Sequence, residues 1–253
     1  MTTAWAKARR KARLRAASGA YVWLAFDHGL TFGALPDIVD IAELMKLTSD
    51  SGISGVVLNK GLVEQLPHAA TAGLILQTFG LPQFPGAHSQ KVRVATINEA
   101  IRAAADAVAA ELNMNATGFP AMVAEVARLG DDASAVGLPL LVMATPRNDV
   151  EPHVAVADAL RVSTEMGADF IKIGLSENVL GCDASQLRLV RRVAENAPPV
   201  LLAGGPSNSD FSYKLILAQR LSFSGVCVGR HLFQSANAES TLEKIQSAFA
   251  GGG

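Results

Sequence analysis

The sequence predicts a single domain with the (β/α)8 barrel fold. Short β-rich segments alternate eight times with segments whose apolar residues recur at helical spacing. At 253 residues the chain has the usual length of such a barrel, and no linker rich in proline, glycine or serine divides it. We therefore expect residues 1–253 to form one α/β domain, a TIM barrel with an N-terminal helix over residues 1–19.

The eight predicted strands are short apolar segments. They span residues 21–27, 55–60, 73–78, 108–115, 138–144, 169–174, 199–205 and 225–230. Helical periodicity occurs over residues 37–52, 97–107, 119–137, 153–167 and 183–198. The third unit is the least regular, because GLPQFPGAHSQ is typical of a loop and KVRVAT is a candidate for an additional short strand.

Composition excludes several classes of protein. A net charge of -1 provides no field that would attract nucleic acid or a membrane, so we expect neither as a partner. The two cysteines form no disulfide framework, which fits a reducing cytoplasm. The chain has no metal-ligand spacing and no dinucleotide fingerprint, so we expect no metal and no cofactor.

The N-terminal segment 1–19 is basic and lacks the apolar core of a secretory signal. It could bind a polyanion, or it could form an amphipathic helix with Trp5 and Leu14 on one face and a solvated basic face opposite. Because the excess of charge is local, we favour the amphipathic helix.

Residues along a strand alternate between the barrel interior and the surrounding helices. The apolar residues that suit the helical layer are Val22, Leu24 and Phe26 in the first strand, Ala110, Leu112 and Met114 in the fourth, and Ile171 and Ile173 in the sixth. The alternate positions turn Asp27, Glu111, Asn113 and Lys172 inward. Three strands therefore direct polar groups into one enclosed space.

Lys172 lies within an otherwise apolar strand, in the segment ADFIKIGLSEN. A lysine enclosed in a barrel loses hydration, and we expect this to lower its pKa from about 10.4 toward neutrality. A neutral amine can attack a ketone or an aldehyde, and the resulting iminium activates the adjacent carbon. The alternative is a structural ion pair with Asp27 or Glu111, which is rarely more stable than apolar packing.

Asp27 lies where the first strand meets its loop, on the barrel face that carries active sites. It could transfer protons, or it could simply cap a turn. His28 beside it could transfer protons instead, although strand alternation directs its side chain away from the side on which Asp27 lies. We favour Asp27.

Glycines follow the last two strands, in AGGPSNSD and VGRHLF. Such turns allow backbone N–H groups to close on a phosphate group. Gly204, Gly205, Gly229 and Arg230 therefore form a predicted phosphate site. Each motif alone is weak, because glycines also end strands for reasons of turn geometry, but their joint placement is stronger.

Together these segments resemble one group of class I aldolases, the archaeal-type fructose-bisphosphate aldolase and 2-amino-3,7-dideoxy-D-threo-hept-6-ulosonate synthase family. The likeness runs through SGAYVWLAFDHGLTFG, GVVLNKGLV, ADAVAAELNMN, PLLVMATPRN, ADFIKIGLSEN, PVLLAGGPSNSD and GVCVGRHLFQ. The resemblance implies that Lys172 forms the Schiff base, that Asp27 is an acid/base carboxylate and that the glycine turns bind phosphate. It also implies a small phosphorylated keto or aldehyde substrate, and a homo-oligomer. We also expect Asn113 and Ser176 to contact the substrate.

The sequence departs from this family at three places. Thr145 stands where the family has a tyrosine that acts as acid/base, and a threonine hydroxyl does not titrate in the useful range. IGLSEN replaces the stretch that usually follows the lysine, and Glu111 replaces a histidine. These changes suggest an altered substrate or reaction in a biosynthetic pathway, with Glu111 or Asp27 as the replacement proton carrier.

Three functions remain open at this point. The first is a carbon–carbon lyase or transferase that uses a lysine Schiff base. The second is a phosphate-binding isomerase or lyase in which Lys172 only stabilises an enolate by its charge. The third is a barrel without catalysis that binds a sugar phosphate, or a subunit that interacts with a partner. Lys60 is an alternative candidate for the reactive amine, but strand alternation directs its side chain away from the barrel interior.

Overall fold

The computed structural model describes residues 3–33, 52–66, 71–82, 91–205, 211–235 and 237–249. Eight parallel strands close into a barrel in the order β1-β10-β9-β8-β7-β6-β3-β2. Their bounds are β1 Tyr21–Ala25, β2 Gly55–Asn59, β3 Gly73–Gln77, β6 Ala107–Asn113, β7 Leu140–Thr145, β8 Phe170–Gly174, β9 Val200–Ala203 and β10 Gly225–Val228. Each lies in one predicted segment apart from the first residue of β6 and the last residue of β7, so the predicted (β/α)8 fold is confirmed.

A small antiparallel hairpin accompanies the barrel. It pairs β4, Phe79–Gly80, with β5, Val92–Arg93. The segment KVRVAT therefore does contain an additional short strand. Because β4 begins two residues after β3 ends, the hairpin lies at the carboxyl-terminal mouth of the barrel.

Four predicted helices occur in the described residues. They span Ile97–Arg102, Phe119–Ala135, Pro152–Glu165 and Ala184–Ala194. Two begin with a complete capping box, formed by Thr96 with Glu99 and by Asp183 with Gln186. The first is shorter than predicted, since Ala104 takes a left-handed conformation at φ 51° as the chain turns into β6. The predicted helix over residues 37–52 lies outside the described residues except for Gly52.

The remaining described helices are short connections or cover the later strands. Their bounds are Gly29–Phe32, Lys60–Val63, Glu177–Leu180, Phe211–Arg220, Arg230–Phe233 and Ala238–Phe249. Among the helices that the structure describes, none is long and apolar enough to cross a membrane.

The N-terminal helix spans Thr3–Arg13, which is shorter than the predicted 1–19. The expected apolar face of Trp5 and Leu14 is wrong. Trp5 is 53% exposed, whereas Leu14 follows the helix and is fully buried at the barrel floor. There its carbonyl oxygen accepts a hydrogen bond of 2.8 Å from Trp23 Nε1.

The basic side chains of this helix contact the barrel. Lys7 pairs with Asp169 at 2.8 Å, and Arg10 donates to the Gly137 carbonyl oxygen at 2.8 Å. These contacts fix the segment as a cover over the amino-terminal end of the barrel.

The core divides as strand alternation predicts. One buried cluster fills the barrel interior and includes Trp23, Ala25, Ala109, Phe170 and Cys227. Two others lie between strands and helices, and they contain the residues predicted to face outward: Val22, Leu24, Phe26, Ala110, Leu112, Ile171 and Ile173, with Met114 partly buried against them. The intervening polar side chains therefore face the interior.

Candidate active site

A cavity of about 280 Å³ lies at the carboxyl-terminal mouth of the barrel. Its walls come from the ends of β1, β6, β7, β8 and β9, from the segment that enters β5 and from the turn after β10. The lining residues are Asp27, His28, Thr31, Phe32, Lys91, Glu111, Met143, Ala144, Thr145, Pro146, Lys172, Gly174, Ala203 and Arg230. All three residues predicted to be catalytic are therefore brought together.

Lys172 projects from β8 into the floor of this cavity. Ile171 and Ile173 pack outward in the helical layer, which leaves the lysine no route to the outside except through the cavity. The buried thiol of Cys227 is among the groups that influence the charge of this amine. The sequence pattern thus places one long polar side chain inside an apolar barrel.

Electrostatics around Lys172 differ from the prediction. Burial lowers its pKa, but Cys227, Asp27 and Glu111 favour the charged form, and the net effect raises the pKa above its ordinary value. Because burial raises the pKa of the Cys227 thiol, the carboxylates hold the ammonium at neutral pH. The expected lowering toward neutrality is wrong, since desolvation is only one of the opposing effects.

Asp27 is fixed by hydrogen bonds on two sides. Gln77 Nε2 donates to its Oδ2 at 2.9 Å, and Asn59 Nδ2 donates to its backbone oxygen at 3.1 Å. The Gln77 amide is oriented in turn by the backbone N–H of Phe79, which donates to Gln77 Oε1 at 3.1 Å. Gln77 at the end of β3 thereby holds the carboxylate, and Asn59 at the end of β2 holds the backbone of the same residue.

The ionisation of Asp27 also reflects its neighbours. Burial raises its pKa, yet the charge of Lys172, the neighbouring His28 and the hydrogen bond from Gln77 lower it, and the net pKa lies below the ordinary value. Asp27 is therefore a carboxylate beside an ammonium. Such a group can accept a proton when the lysine becomes a nucleophile.

His28 lines the cavity as well, although we favoured Asp27 over it. Its ring lies 5.7 Å from Phe233 and 6.2 Å from Phe32, and Nδ1 is 3.8 Å from Asp27 Oδ1. Burial lowers its pKa to about 4, with Lys172, Arg230 and Lys91 acting in the same direction and Asp27 opposing. The imidazole is consequently neutral at physiological pH.

Glu111 faces the cavity from β6 and has a partner that the sequence analysis missed. Lys91 Nζ lies 2.8 Å from Glu111 Oε2, and the two side chains are only 15% and 18% exposed. Lys91 enters the cavity because it immediately precedes β5 of the hairpin. The signal that could have found it is the need of an inward carboxylate for a counter-charge.

The predicted phosphate turns are built closely against neighbouring backbone and rings. A Cβ atom at Gly229 would lie 2.4 Å from the Ala25 carbonyl oxygen, and one at Gly204 would lie 2.8 Å from His231 Cδ2. Gly205 has a left-handed φ of 77°. Residues 206–210, which continue the first of these turns, lie outside the described residues.

Arg230 brings a guanidinium from the second turn to the cavity. Its Cζ lies 5.6 Å from the Phe32 ring centroid, and its buried Nε has no hydrogen-bond partner among the residues that the structure describes. A buried donor without a partner is costly unless a ligand satisfies it. The guanidinium is thus suited to an anion.

Other predicted residues lie elsewhere. The side chain of Asn113 accepts a hydrogen bond of 3.0 Å from the backbone of Asn115, and Ser176 is exposed at the start of a short helix. Neither is among the described residues that line the cavity. Lys60 is 51% exposed and pairs with Glu99 at 2.9 Å, as expected for an amine outside the interior. Thr145 does line the cavity.

No metal-binding arrangement occurs in the part of the chain that the structure describes. There, no group of three or more His, Cys, Asp or Glu residues is placed to hold a metal ion. The chemistry available from these side chains is that of two ammonium groups, two carboxylates, an imidazole and a guanidinium.

The fold and this cavity define a barrel enzyme whose amine and carboxylates share one mouth of the barrel. Comparison with known families makes the class specific. The model of the DeoC/LacD family aldolases matches residues 21–235. The chain belongs to this family, and it is an aldolase-type enzyme of the class I group.

Relatives of known activity support this assignment. The chain is 31% identical to 2-amino-3,7-dideoxy-D-threo-hept-6-ulosonate synthase of Halobacterium salinarum, over 88% of the chain and 84% of the relative. It is 30% identical to fructose-bisphosphate aldolase class 1 of Thermoproteus tenax, over 95% and 93%. The resemblance predicted from the motifs is therefore confirmed.

Solved structures agree. A crystal structure of an archaeal fructose 1,6-bisphosphate aldolase matches with a TM-score of 0.85 and 28% identity, over 97% of this chain and 100% of that one. An archaeal fructose-1,6-bisphosphate aldolase with its catalytic lysine covalently bound to the carbinolamine intermediate matches with a TM-score of 0.83 and 27% identity, over the same shares.

Proposed function

We propose that this aldolase forms a Schiff base between Lys172 and a small phosphorylated ketone such as dihydroxyacetone phosphate. The observation that carries the proposal is the placement of the Lys172 amine in an enclosed cavity beside two carboxylates that are each held by another partner. Asp27 accepts from Gln77 at 2.9 Å, and Glu111 pairs with Lys91 at 2.8 Å. The two carboxylates thus favour the charged form of the Lys172 amine, although each forms its direct contact with another residue.

The first step is proton transfer. Lys172 starts as an ammonium, so it must lose one proton before it can attack. The base is the Asp27 carboxylate, which its lowered pKa keeps deprotonated at neutral pH. The nitrogen lone pair then forms a bond to the carbonyl carbon, the carbonyl π pair moves to oxygen, and a proton passes from the nitrogen to that oxygen to give a neutral carbinolamine.

Dehydration completes the Schiff base. Asp27 returns a proton to the carbinolamine hydroxyl, water leaves, and the C–N bond becomes an iminium. Removal of a proton from the adjacent carbon, with Glu111 or Asp27 as acceptor, gives an enamine whose carbon attacks an aldehyde. In the reverse direction the same groups cleave the carbon–carbon bond.

The phosphate group is held at the glycine turns. Gly204 and Gly229 let these turns pack tightly beside the cavity, Gly205 takes a left-handed φ, and Arg230 Nε, which has no partner among the described residues, provides a charged donor. Binding energy at a phosphate remote from the reacting carbon orients that carbon over Lys172. A relative from Streptomyces griseus, 28% identical, is a 2-amino-4,5-dihydroxy-6-oxo-7-(phosphonooxy)heptanoate synthase, which is in keeping with a phosphorylated substrate.

The substrate or chemistry differs from that of ordinary fructose-bisphosphate cleavage. Thr145 and Glu111 line the wall where the resembled family carries a tyrosine and a histidine. We place the reaction in a cytoplasmic biosynthetic pathway, and the enzyme in a homo-oligomer, on the strength of the resemblance.

Borohydride trapping tests the proposal. The wild-type enzyme is incubated with dihydroxyacetone phosphate, reduced, digested and analysed by mass spectrometry. We expect a stable adduct on the peptide that carries Lys172 and none in Lys172→Ala. Lys60→Ala, which removes an exposed lysine outside the cavity, serves as the matched control and should retain the adduct. If no phosphorylated ketone in a wider panel gives an adduct on Lys172, the isomerase or binding alternative replaces this proposal.

A further inference from the structure

Lys91 is the one ammonium among the described cavity residues for which the proposed steps have no use. It lies immediately before β5 of the hairpin and pairs with Glu111 at 2.8 Å, with 15% of its side chain exposed. Holding a lysine this deeply costs side-chain entropy and desolvation. A hairpin that brings such a group into the cavity therefore calls for a role.

The register of the barrel locates this pair beside the wall that lacks the tyrosine. Glu111 on β6 is aligned with Met143 on β7, and Asn113 with Thr145. Glu111 thus lies one inward position below Thr145 on the adjacent strand. The Lys91 ammonium, held on Glu111, is on this side of the cavity, whereas Arg230 enters from the turn after β10.

The charge of Lys91 also affects the ionisation of other groups in the cavity. It contributes to lowering the pKa of both Asp27 and His28. The titratable and charged groups that face it are Glu111, Asp27, His28, Lys172 and Arg230. Of these, Lys172 is committed to the ketone, and the Arg230 guanidinium does not give up a proton.

We propose that Lys91 is a further catalytic residue, which gives a proton to the aldehyde oxygen when the enamine attacks the aldehyde carbon. This inference rests on the proposed Schiff-base function. The enamine electron pair forms the carbon–carbon bond, the carbonyl π pair moves to oxygen, and an N–H proton of Lys91 passes to that oxygen. Lys91 is left as a neutral amine, which regains a proton from water.

Glu111 has a defined part in this arrangement. Its carboxylate fixes the ammonium 2.8 Å away and keeps the charge balanced before the aldehyde arrives. An ammonium can both stabilise the developing oxyanion and transfer a proton, whereas a threonine hydroxyl cannot supply a charge. The pair thus replaces the missing tyrosine at Thr145.

The test separates the two halves of the reaction with Lys91→Met, which retains an apolar stem. Dihydroxyacetone phosphate alone reports the first half, through borohydride trapping on Lys172 and through exchange of the ketone α-proton with deuterated water. We expect both in the variant within about threefold of the wild type. Condensation with the aldehyde that the wild type uses best, from a panel including glycolaldehyde and glyceraldehyde 3-phosphate, should fall by about 10²–10⁴-fold.

Two further variants distinguish proton transfer from charge and from structure. Lys91→Arg keeps a charge but no transferable proton, and should remain at least about tenfold impaired in condensation. Added methylamine or ethylamine should partly restore condensation by Lys91→Met, with a rate that depends on the pKa of the amine. Lys60→Met, which breaks the exposed pair with Glu99, controls for loss of a lysine elsewhere and should condense as the wild type does.

The inference is overturned by any of three results. These are wild-type condensation by Lys91→Met, wild-type condensation by Lys91→Arg, or equal loss of trapping and condensation in Lys91→Met. A wild-type enzyme that forms the adduct but condenses with none of the aldehydes overturns it too, since no aldehyde oxygen is then protonated. If the wild type forms no adduct at all, it is the proposed function that fails.

Discussion

The two layers of the barrel interior have opposite chemistry, although the same strands build both. In the lower layer Tyr21, Trp23 and Phe170 form an edge-to-face cluster with ring centroids 4.9 to 5.7 Å apart. The layer above begins one inward position beyond Phe170 on β8 and two inward positions beyond Trp23, just after the end of β1. There the chain places Asp27 and Lys172 at the cavity instead of rings.

This difference explains how a charged lysine can be kept inside. The aromatic layer is fully packed, with Trp23 and Phe170 both 0% exposed, so water reaches the amine only from the cavity above. In such a setting charges interact more strongly than in water. The lower layer therefore supplies stability and a dry floor, and the upper layer supplies chemistry. Substitutions in the two layers should accordingly affect different measurements.

The largest effect is expected from Asp27→Asn in the upper layer. The amide oxygen of asparagine can still accept from Gln77 Nε2, but the group can no longer take a proton. We expect kcat to fall by about 10²–10⁴-fold while the free energy of unfolding stays within about 1 kcal/mol of the wild type. Steady-state kinetics and urea unfolding measure the two quantities.

Asp27→Glu is the matched control, because it keeps a carboxylate but displaces it. Partial activity in this variant would support proton transfer. Full activity in Asp27→Asn would instead mean that Asp27 only caps the end of β1, and the upper layer would lose its proposed acid/base residue.

Phe170→Ala should give the opposite result in the lower layer. Phe170 is fully buried against Tyr21 and Trp23, and truncation leaves a cavity that these rings cannot fill. We expect a loss of about 3–5 kcal/mol in the free energy of unfolding, and about 1.5 kcal/mol or less for Phe170→Leu. Urea unfolding checks both, with kcat measured per folded enzyme. A large fall in kcat without a loss of stability would show that the two layers are not separable.

The separation of the layers was largely predictable from the sequence, because it follows from local periodicity. Alternation along the strands turned Asp27, Glu111 and Lys172 inward, and the barrel closed as expected. The prediction for Asn113 rested on the same rule, and its side chain instead bonds the turn at Asn115. Periodicity sets the direction of a residue within the strand but not its partner at the strand end.

What the sequence could not provide is non-local. Lys91 reaches Glu111 only because a hairpin folds back over the mouth of the barrel, and no local pattern encodes that contact. The pKa of Lys172 was predicted in the wrong direction for a related reason. Burial can be read from an apolar strand, whereas the opposing charges of Asp27 and Glu111 depend on the assembled site.

The smallest expected effect is a change in how the free energy of unfolding depends on pH. It involves His28, which lines the cavity in the upper layer. The pKa of His28 is lowered from 6.5 to about 4, chiefly by burial, so the unfolded chain binds this proton more readily than the folded enzyme. Stability from the neutral imidazole is therefore complete above pH 6.5 and is lost as the pH falls toward 4. At about 1.4 kcal/mol for each pH unit, the loss amounts to about 3 kcal/mol at pH 4.

Urea unfolding of the wild type and of His28→Gln between pH 7 and pH 4 measures this contribution. The variant should lose about 3 kcal/mol less than the wild type over this range, because it has no imidazole to protonate. Asp27 acts in the same direction but at lower pH, since its pKa is lowered and its contribution is lost only below the ordinary value of 3.8. Phe170→Leu, a change in the lower layer, should show the same dependence of the free energy of unfolding on pH as the wild type. If the free energy of unfolding of His28→Gln depended on pH as that of the wild type does, the imidazole would be solvated and the dry region would not extend to the mouth of the barrel.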